Sequence, residues 1–138
     1  MIIGTGVIAD FPTINGNIYT RECLEKLVSD GELQERIKRG DMIGGILDPA
    51  TLGPVDGVYT HKVNDLRLFR GEVVVDIELL DDNRAKEMFS RLRKPQAAII
   101  VRAPEKIKSG MYIVDVKSIV AVHLREETTC TEITSDAT

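Results

Sequence analysis

The chain has 138 residues, of which 43% are apolar and 29% are charged. This length fits a single domain, and the composition excludes a disordered, collagen-like or coiled-coil protein. With three Tyr, three Phe and no Trp, the core must be built mainly from Val, Ile and Leu. Such a core favours a sheet-rich fold.

The acidic excess is concentrated at the C-terminal end. The 18 basic and 22 acidic residues give a net charge of −4, and the segment 126–138 contains four of the acids and no Lys or Arg. Without those four acids, the chain carries 18 residues of each sign. Because no basic stripe is present to neutralise phosphates, we expect no nucleic-acid partner.

The sequence also lacks the patterns of membrane and metal-binding proteins. No apolar run approaches the roughly 18 residues that a membrane span needs, and no signal peptide is evident at the N-terminus. Cys23 and Cys130 stand far apart, without the spacing of metal ligands. We therefore expect a cytosolic site of synthesis, no membrane partner, no metal and no cofactor.

The first part of the chain predicts a strand, a turn, two helices and a short strand. Residues 2–9 are β-rich, and the pair Asn15-Gly16 is a strong turn signal. We predict that Thr20 is the N-cap of the first helix. Gly31 divides the helical region in two, and Gly40 follows the last turn of the second helix. Residues 42–47 are an apolar strand candidate.

A long β-hairpin over residues 58–80 is the clearest element of the sequence, because apolar and polar residues alternate on both sides of a turn at Gly71. The apolar parity changes after Val63, which predicts a bulge or bend near Asn64-Asp65. Beyond the hairpin we predict a helix starting near Asp81-Asp82, a strand over 97–103, a polar loop over 104–110 and one strand over 111–124.

The chain then divides into a body, residues 1–125, and an acidic, Thr/Ser-rich C-terminal tail, residues 126–138. The tail has too little apolar surface to fold alone. Ordering of the tail on a partner and a plain solvated terminus are both open interpretations.

No serine lies in a nucleophile elbow of the Gly-x-Ser-x-Gly kind, so we expect no catalytic serine. If the protein is active after all, His61 and Asp65 are the candidate catalytic residues. Ser118 and His123 are five residues apart on one predicted strand, so they point to opposite faces. Asp65 follows His61 by four residues, and a carboxylate that orients an imidazole is a familiar catalytic pair. The alternative is a half-buried His61 bonded to a backbone carbonyl. For His123 we favour an edge or structural role.

Taken in order, five segments resemble the prohead (head maturation) serine proteases of tailed phages, which share the barrel fold of the herpesvirus assembly protease. Asn15-Gly16-Asn17-Ile18-Tyr19 resembles the family's N-G-R-I-Y-P motif, and Thr60-His61-Lys62-Val63-Asn64-Asp65-Leu66 resembles its S-H-K-V-T-D-L motif. Residues 22–28, 71–92 and 113–122 are similar to its first helix, its strand-helix segment and its last strand. The resemblance implies a mixed α/β (α+β) domain, a small, mostly antiparallel β-barrel with two or three flanking helices.

The chain departs from this family at both catalytic segments. The family's catalytic histidine lies in a G-E-L-D-H-P segment, whereas here Asp48 runs directly into Pro49. Its nucleophile lies in a G-I-S-S-R-G strand, whereas here Ile100 and Val101 stand where the serines would be. An aliphatic side chain has no lone pair with which to attack a carbonyl, so acyl transfer is lost.

The resemblance therefore implies a pseudoenzyme, a non-enzymatic capsid protein of the phage head made in the host cytoplasm. Its expected place in the virion is capsid decoration (a cement protein) or the head interior. Its expected partners are the major capsid protein, other head proteins or further copies of itself. Two alternatives stay open. One is an active prohead peptidase with a displaced site at His61 and Asp65, and the other is a transient head-assembly factor.

Overall fold

The computed structural model describes residues 1–13, 16–102, 105–108, 113–115, 118–128 and 133–135. This part of the chain contains nine strands and three helices. In chain order they are β1 (Ile2–Ile8), α1 (Arg21–Val28), α2 (Gly31–Arg39), β2 (Ile43–Leu47), β3 (Pro54–Phe69), β4 (Glu72–Leu79), α3 (Asn83–Ser90), β5 (Pro95–Arg102), β6 (Glu105–Lys108), β7 (Ile113–Asp115), β8 (Ile119–Glu126) and β9 (Ile133–Ser135).

Six strands form a nearly closed barrel in the order β1-β4-β3-β2-β8-β5, and β1 packs beside β5 to complete the circle. The pairings within this order are antiparallel except for that of β2 with β8, which is parallel. The fold is therefore α+β, a mixed barrel with three helices. At this level the predicted barrel with flanking helices is confirmed.

The β3–β4 hairpin forms the longest wall of the barrel. The predicted bulge is confirmed, because the register between the two strands shifts between Val63 and Asp65. The shift lets Val63 and Leu66, three residues apart, both reach the core, where they are 0% and 2% exposed. Without a bulge, the strict alternation of a strand would turn one of them to the outside.

The predicted caps at Thr20 and Gly40 are present, and the structure adds an N-cap at Asp30 that was not predicted. The Thr20 hydroxyl accepts the amide of Cys23 at 3.1 Å, and the Asp30 carboxylate accepts the amide of Leu33 at 3.0 Å. These contacts satisfy amides that lack partners inside the first turn of α1 and α2. Gly40 ends α2 in the left-handed conformation, with φ of 77°. Gly16 also has a positive φ, whereas Asn15 of the predicted turn lies outside the described residues.

One predicted strand, over residues 111–124, is wrong. Ser118 is outside any strand, and β7 and β8 are separate elements in different sheets. The physical reason is that β7 pairs with β6, whereas β8 pairs with β5 and β2. Within β8, Ile119 and Val122 are three residues apart and both enter the core. The register of β8 against β5 shifts at this point, between Ile100 and Val101. The predicted polar loop over 104–110 contains β6, which pairs with β7.

Part of the predicted tail belongs to the sheet. β8 extends to Glu126, whose carboxylate accepts the amides of Arg93 and Lys94 at 2.6 and 3.1 Å. The side chain of Gln96 exchanges two hydrogen bonds with the backbone of Thr128. β9 lies parallel to β5, with Ile133 opposite Ile100. Residues 129–132 and 136–138, including Cys130, lie outside the described part.

Candidate functional site

The candidate site lies where β2 passes between β3 and β8, at two consecutive glycines. Gly44 lies opposite His61 of β3. A β-carbon added to Gly44 would stand 2.8 Å from Nε2 of that imidazole and would collide with the carbonyl oxygen of Val122. The missing side chain at Gly44 is therefore what allows the ring of His61 to reach across β2 to the backbone of β8.

His61 is fully buried, and both of its ring nitrogens are hydrogen-bonded. Nε2 lies 3.0 Å from the carbonyl oxygen of Val122, and Nδ1 lies 2.9 Å from the hydroxyl of Thr60. Because a carbonyl oxygen only accepts, Nε2 carries the proton and donates to Val122. Nδ1 is then the acceptor, and the Thr60 hydroxyl donates to it.

His123 is also buried, on the other side of β2. The amide of Gly45 donates to Nδ1 of His123 at 3.1 Å, so this nitrogen carries no proton. Val122 and Leu124 belong to the main core, and alternation along β8 therefore places His123 on the opposite face of the sheet. Burial lowers the pKa of His123, and the backbone of Leu52, in the β2–β3 loop, partly opposes this effect.

Burial keeps both imidazoles neutral. Loss of solvation lowers the pKa of His61 to about 4, an effect that the bond to the Val122 carbonyl opposes and that the nearby His123 reinforces. Burial is also the main cause that lowers the pKa of His123 below its usual value. The acceptor nitrogen of each ring is already used, so neither ring offers a free lone pair to an incoming group.

The structure does not bring Asp65 to His61. The bulge between Val63 and Asp65 breaks the face that the two residues would share. The Asp65 carboxylate instead accepts from Nη1 of Arg67 at 2.8 Å and from the amide of Leu66 at 2.9 Å. The alternative interpretation of His61, a ring bonded to a backbone carbonyl, is confirmed, although the ring is fully rather than half buried.

Ile100 and Val101, which the sequence resemblance places at the nucleophile, are buried in apolar surroundings on β5. Val101 is 0% exposed and belongs to the main core, whereas Ile100 is 3% exposed and packs with Leu47 and Ala98 in a second cluster. Asp48 and Pro49 lie in the β2–β3 loop, where the Asp48 carboxylate accepts the amide of Ala50 at 2.9 Å. This loop holds no imidazole.

Sequence reasoning missed the relation between Ile100 and His123. In the β5–β8 pairing, Ala98 is opposite His123 and Ile100 is opposite Ala121. Ile100 and His123 are therefore diagonal neighbours on one sheet face, a separation of roughly 7–8 Å in a regular antiparallel pair. No pattern in the sequence reveals this proximity, because it depends on the register between two strands about twenty residues apart.

The serines do not supply a nucleophile within the described residues. The hydroxyls of Ser29 and Ser90 donate to carbonyls of their own helices, those of Glu25 and Glu87, each at 2.6 Å. Ser118 lines a 430 Å³ groove between α2 and the start of β8. Ser109 lies outside the described residues. Among the side chains that the structure describes, no serine hydroxyl is bonded to either imidazole.

Two further kinds of site are absent from the described part of the chain. It contains no group of three or more His, Cys, Asp or Glu side chains arranged to hold a metal ion. None of its three helices has the length and apolar character to cross a membrane.

Comparison of the chain with protein-family models, curated proteins and solved structures finds no match.

Proposed function

We propose that the protein is a non-enzymatic structural component of a phage head, built on the scaffold of a prohead protease. The observation that carries this proposal is the pair Ile100 and Val101. Both stand where the resemblance places the nucleophile, and both are buried aliphatic side chains, 3% and 0% exposed. An aliphatic side chain has no lone pair with which to attack a peptide carbonyl. Because these side chains are buried, a substrate peptide cannot reach them either.

The histidines support the same proposal. In an active hydrolase, a general base must have a free lone pair within hydrogen-bond reach of the nucleophile's proton. Here Nδ1 of His61 is bonded to the hydroxyl of Thr60, and Nδ1 of His123 is bonded to the amide of Gly45. Both rings thus serve to join strands of the barrel.

The barrel end formed by the β3–β4 turn and by the turn after β1 carries the surface that we assign to capsid binding. Ile8, Phe11 and Phe69 are 38%, 57% and 53% exposed. Ile8 and Phe69 both lie opposite Glu72, and the amide of Phe11 donates to the carbonyl of Ile8. The guanidinium of Arg70 lies 5.2 Å from the centroid of the Phe69 ring. Aromatic side chains and Arg are enriched at protein interfaces.

Mass spectrometry of purified virions and of purified proheads tests the proposed function. We expect the chain in both particles, at a fixed ratio to the major capsid protein. Absence from both particles would overturn a structural role. Presence in proheads alone would identify a transient assembly factor instead.

The proposed surface is tested with a matched pair of variants in a particle-binding assay. Phe69→Ser removes an exposed ring from the barrel end, and Tyr59→Ser removes a 44% exposed ring from the same strand, roughly 30 Å of strand away. We expect Phe69→Ser to weaken binding to capsids about tenfold or more, the scale of an interface hot spot. Tyr59→Ser should bind normally, and equal losses in both variants would refute the assignment.

The enzymatic alternative has its own test. The purified protein is incubated with capsid and scaffold chains, and cleavage is followed by mass spectrometry of the products. We expect no cleavage by the natural chain. Cleavage that disappears in His61→Ala would show an active peptidase and overturn the proposed function.

A further inference from the structure

Among the paired neighbours of the barrel, β2 and β8 share the shortest backbone ladder. This parallel ladder has a single position, Ile46 opposite Leu124. The β3–β4 and β5–β8 pairings, in contrast, run along most of their strands. We call the contact of Gly44–Leu47 with 122–124 the seam.

Two hydrogen bonds that involve imidazole side chains add to the short backbone ladder of the seam. Nε2 of His61 reaches from β3 across Gly44 to the carbonyl of Val122 at 3.0 Å. From β2, the amide of Gly45 donates to Nδ1 of His123 at 3.1 Å. Both bonds involve buried groups, and a buried amide left without an acceptor costs about 1–3 kcal/mol.

The two hydrogen bonds respond differently to a proton. A protonated His61 still donates from Nε2 to Val122, and its Nδ1 can donate to the Thr60 hydroxyl, which accepts as well as donates. A protonated His123 carries hydrogen on Nδ1, which then faces the N–H of Gly45. The acceptor of that amide is lost, and the two donors repel each other. Protonation of His123 therefore breaks the hydrogen bond between the Gly45 amide of β2 and the His123 ring of β8.

Among the residues that the structure describes, no carboxylate is hydrogen-bonded to either ring. On the β8 side, Arg125 shares the face of His123 and adds positive charge, and the β5 residues on this face, Gln96, Ala98 and Ile100, are uncharged. In the β2–β3 loop, the Asp48 carboxylate is bonded to the amide of Ala50.

Of the groups that the structure describes, the second imidazole is the one whose charge acts on His61. The partner of His61 on β4 is Leu79, and on β3 its neighbour Lys62 lies opposite Glu78, on the other face of the sheet. Once His123 is protonated, its positive charge lies near His61 and lowers the pKa of that ring further. Protonation of one ring therefore opposes protonation of the other.

We propose that the seam is an acid-operated gate: protonation of His123 releases the amide of Gly45, and β2 separates from β8 while the β1–β4–β3 wall stays folded. Once the seam opens, His61 loses its acceptor at Val122, becomes hydrated and takes up a proton as well. The device is independent of the protein's binding partner.

Amide hydrogen exchange of the full chain, resolved by residue with NMR, tests the gate. The protection factor, which is the intrinsic exchange rate at each pH divided by the measured rate, reports the local opening equilibrium. Between pH 7 and pH 4.5 we expect the protection of Gly45 and Leu124 to fall at least about tenfold, a change of about 1.36 kcal/mol in the free energy of local opening. The amides of Val73 and Val75 in β4 should keep theirs. Unchanged protection at Gly45, or an equal loss in β4, would overturn the proposal.

The matched variants are His123→Asn and His61→Gln. The Asn carboxamide oxygen takes the place of Nδ1, so it accepts the amide of Gly45 but does not titrate. We expect His123→Asn to keep the seam protected at pH 4.5. His61→Gln keeps a donor toward Val122 and leaves His123 in place, so its seam should still open in acid. A His123→Asn seam that opens like that of the natural chain would refute the role of His123.

Discussion

Gly44 lies directly against the imidazole of His61, so closely that a β-carbon on Gly44 would stand 2.8 Å from Nε2. The same β-carbon would collide with the carbonyl of Val122, which is backbone and cannot rotate away. Because Gly44 has no side chain, the imidazole of His61 on β3 can pass β2 and bond to the backbone of β8. This close contact also makes the glycine a sensitive position for mutation.

Gly44→Ala should destabilise the protein by about 1–3 kcal/mol, the usual cost of forcing extra volume into a packed interior. Gly31→Ala is the matched control, because Gly31 is the first residue of α2 and a β-carbon there meets nothing within 4 Å. That control should gain about 0.4–1 kcal/mol from the reduced entropy of the unfolded chain. Urea unfolding measures both. A Gly44→Ala protein as stable as the natural one would contradict the close contact.

Stability should fall as the pH is lowered from 6.5 to 4. Unfolded His61 takes up a proton near its ordinary pKa of 6.5, whereas burial lowers the folded pKa to about 4. Between these values the unfolded chain binds the proton and the folded one does not, so the stabilisation is complete above pH 6.5 and is lost toward pH 4. The loss amounts to about 3 kcal/mol at 1.36 kcal/mol per pKa unit.

Urea unfolding at several pH values, in the natural chain and in His61→Gln, measures this loss. Because Gln does not titrate, the variant should show a clearly flatter dependence, with His123 as its remaining buried imidazole. Equal slopes for the two proteins would show that His61 is not the titrating group.

Asp65→Ala should leave the titration of His61 unchanged, because the carboxylate bonds to Arg67 and to the amide of Leu66 and not to the imidazole. The loss of stability should be below about 1 kcal/mol, since the ion pair with Arg67 is exposed. NMR titration of the His61 ring protons measures the first effect. A change of about half a pKa unit or more would restore the histidine–carboxylate pair as a candidate site.

Ile100→Ser and Val101→Ser should not create a peptidase. Each change removes buried methyl groups and buries a hydroxyl, so each should cost about 2–4 kcal/mol of stability. Ile100→Val, which removes one methylene, should cost about 0.5–1.5 kcal/mol and serves as the volume control. Thermal unfolding and a cleavage assay on capsid chains measure the two effects. Cleavage by either serine variant would show that an otherwise complete catalytic site survives in the barrel.

Local signals in the sequence predicted most of the elements. Thr20 and Gly40 bound the helical region because capping depends on a few neighbouring residues. The bulge after Val63 followed from the parity of the apolar positions alone. The strand predicted over 111–124 failed because β7 pairs with β6 and β8 pairs with β5, with a register shift opposite Ile100. Periodicity does not report such pairing.

The sequence by itself determined which residues are chemically incapable of catalysis, since the side chains of Ile100 and Val101 hold no lone pair in any fold. It also determined the hairpin and its bulge, because alternation is a property of neighbouring residues. Only the tertiary structure decided that His61 approaches Gly44, that His123 approaches Gly45 and that Asp65 does not take part. Those relations depend on register between strands distant in the chain, and a shift of one residue would turn either imidazole to the opposite face.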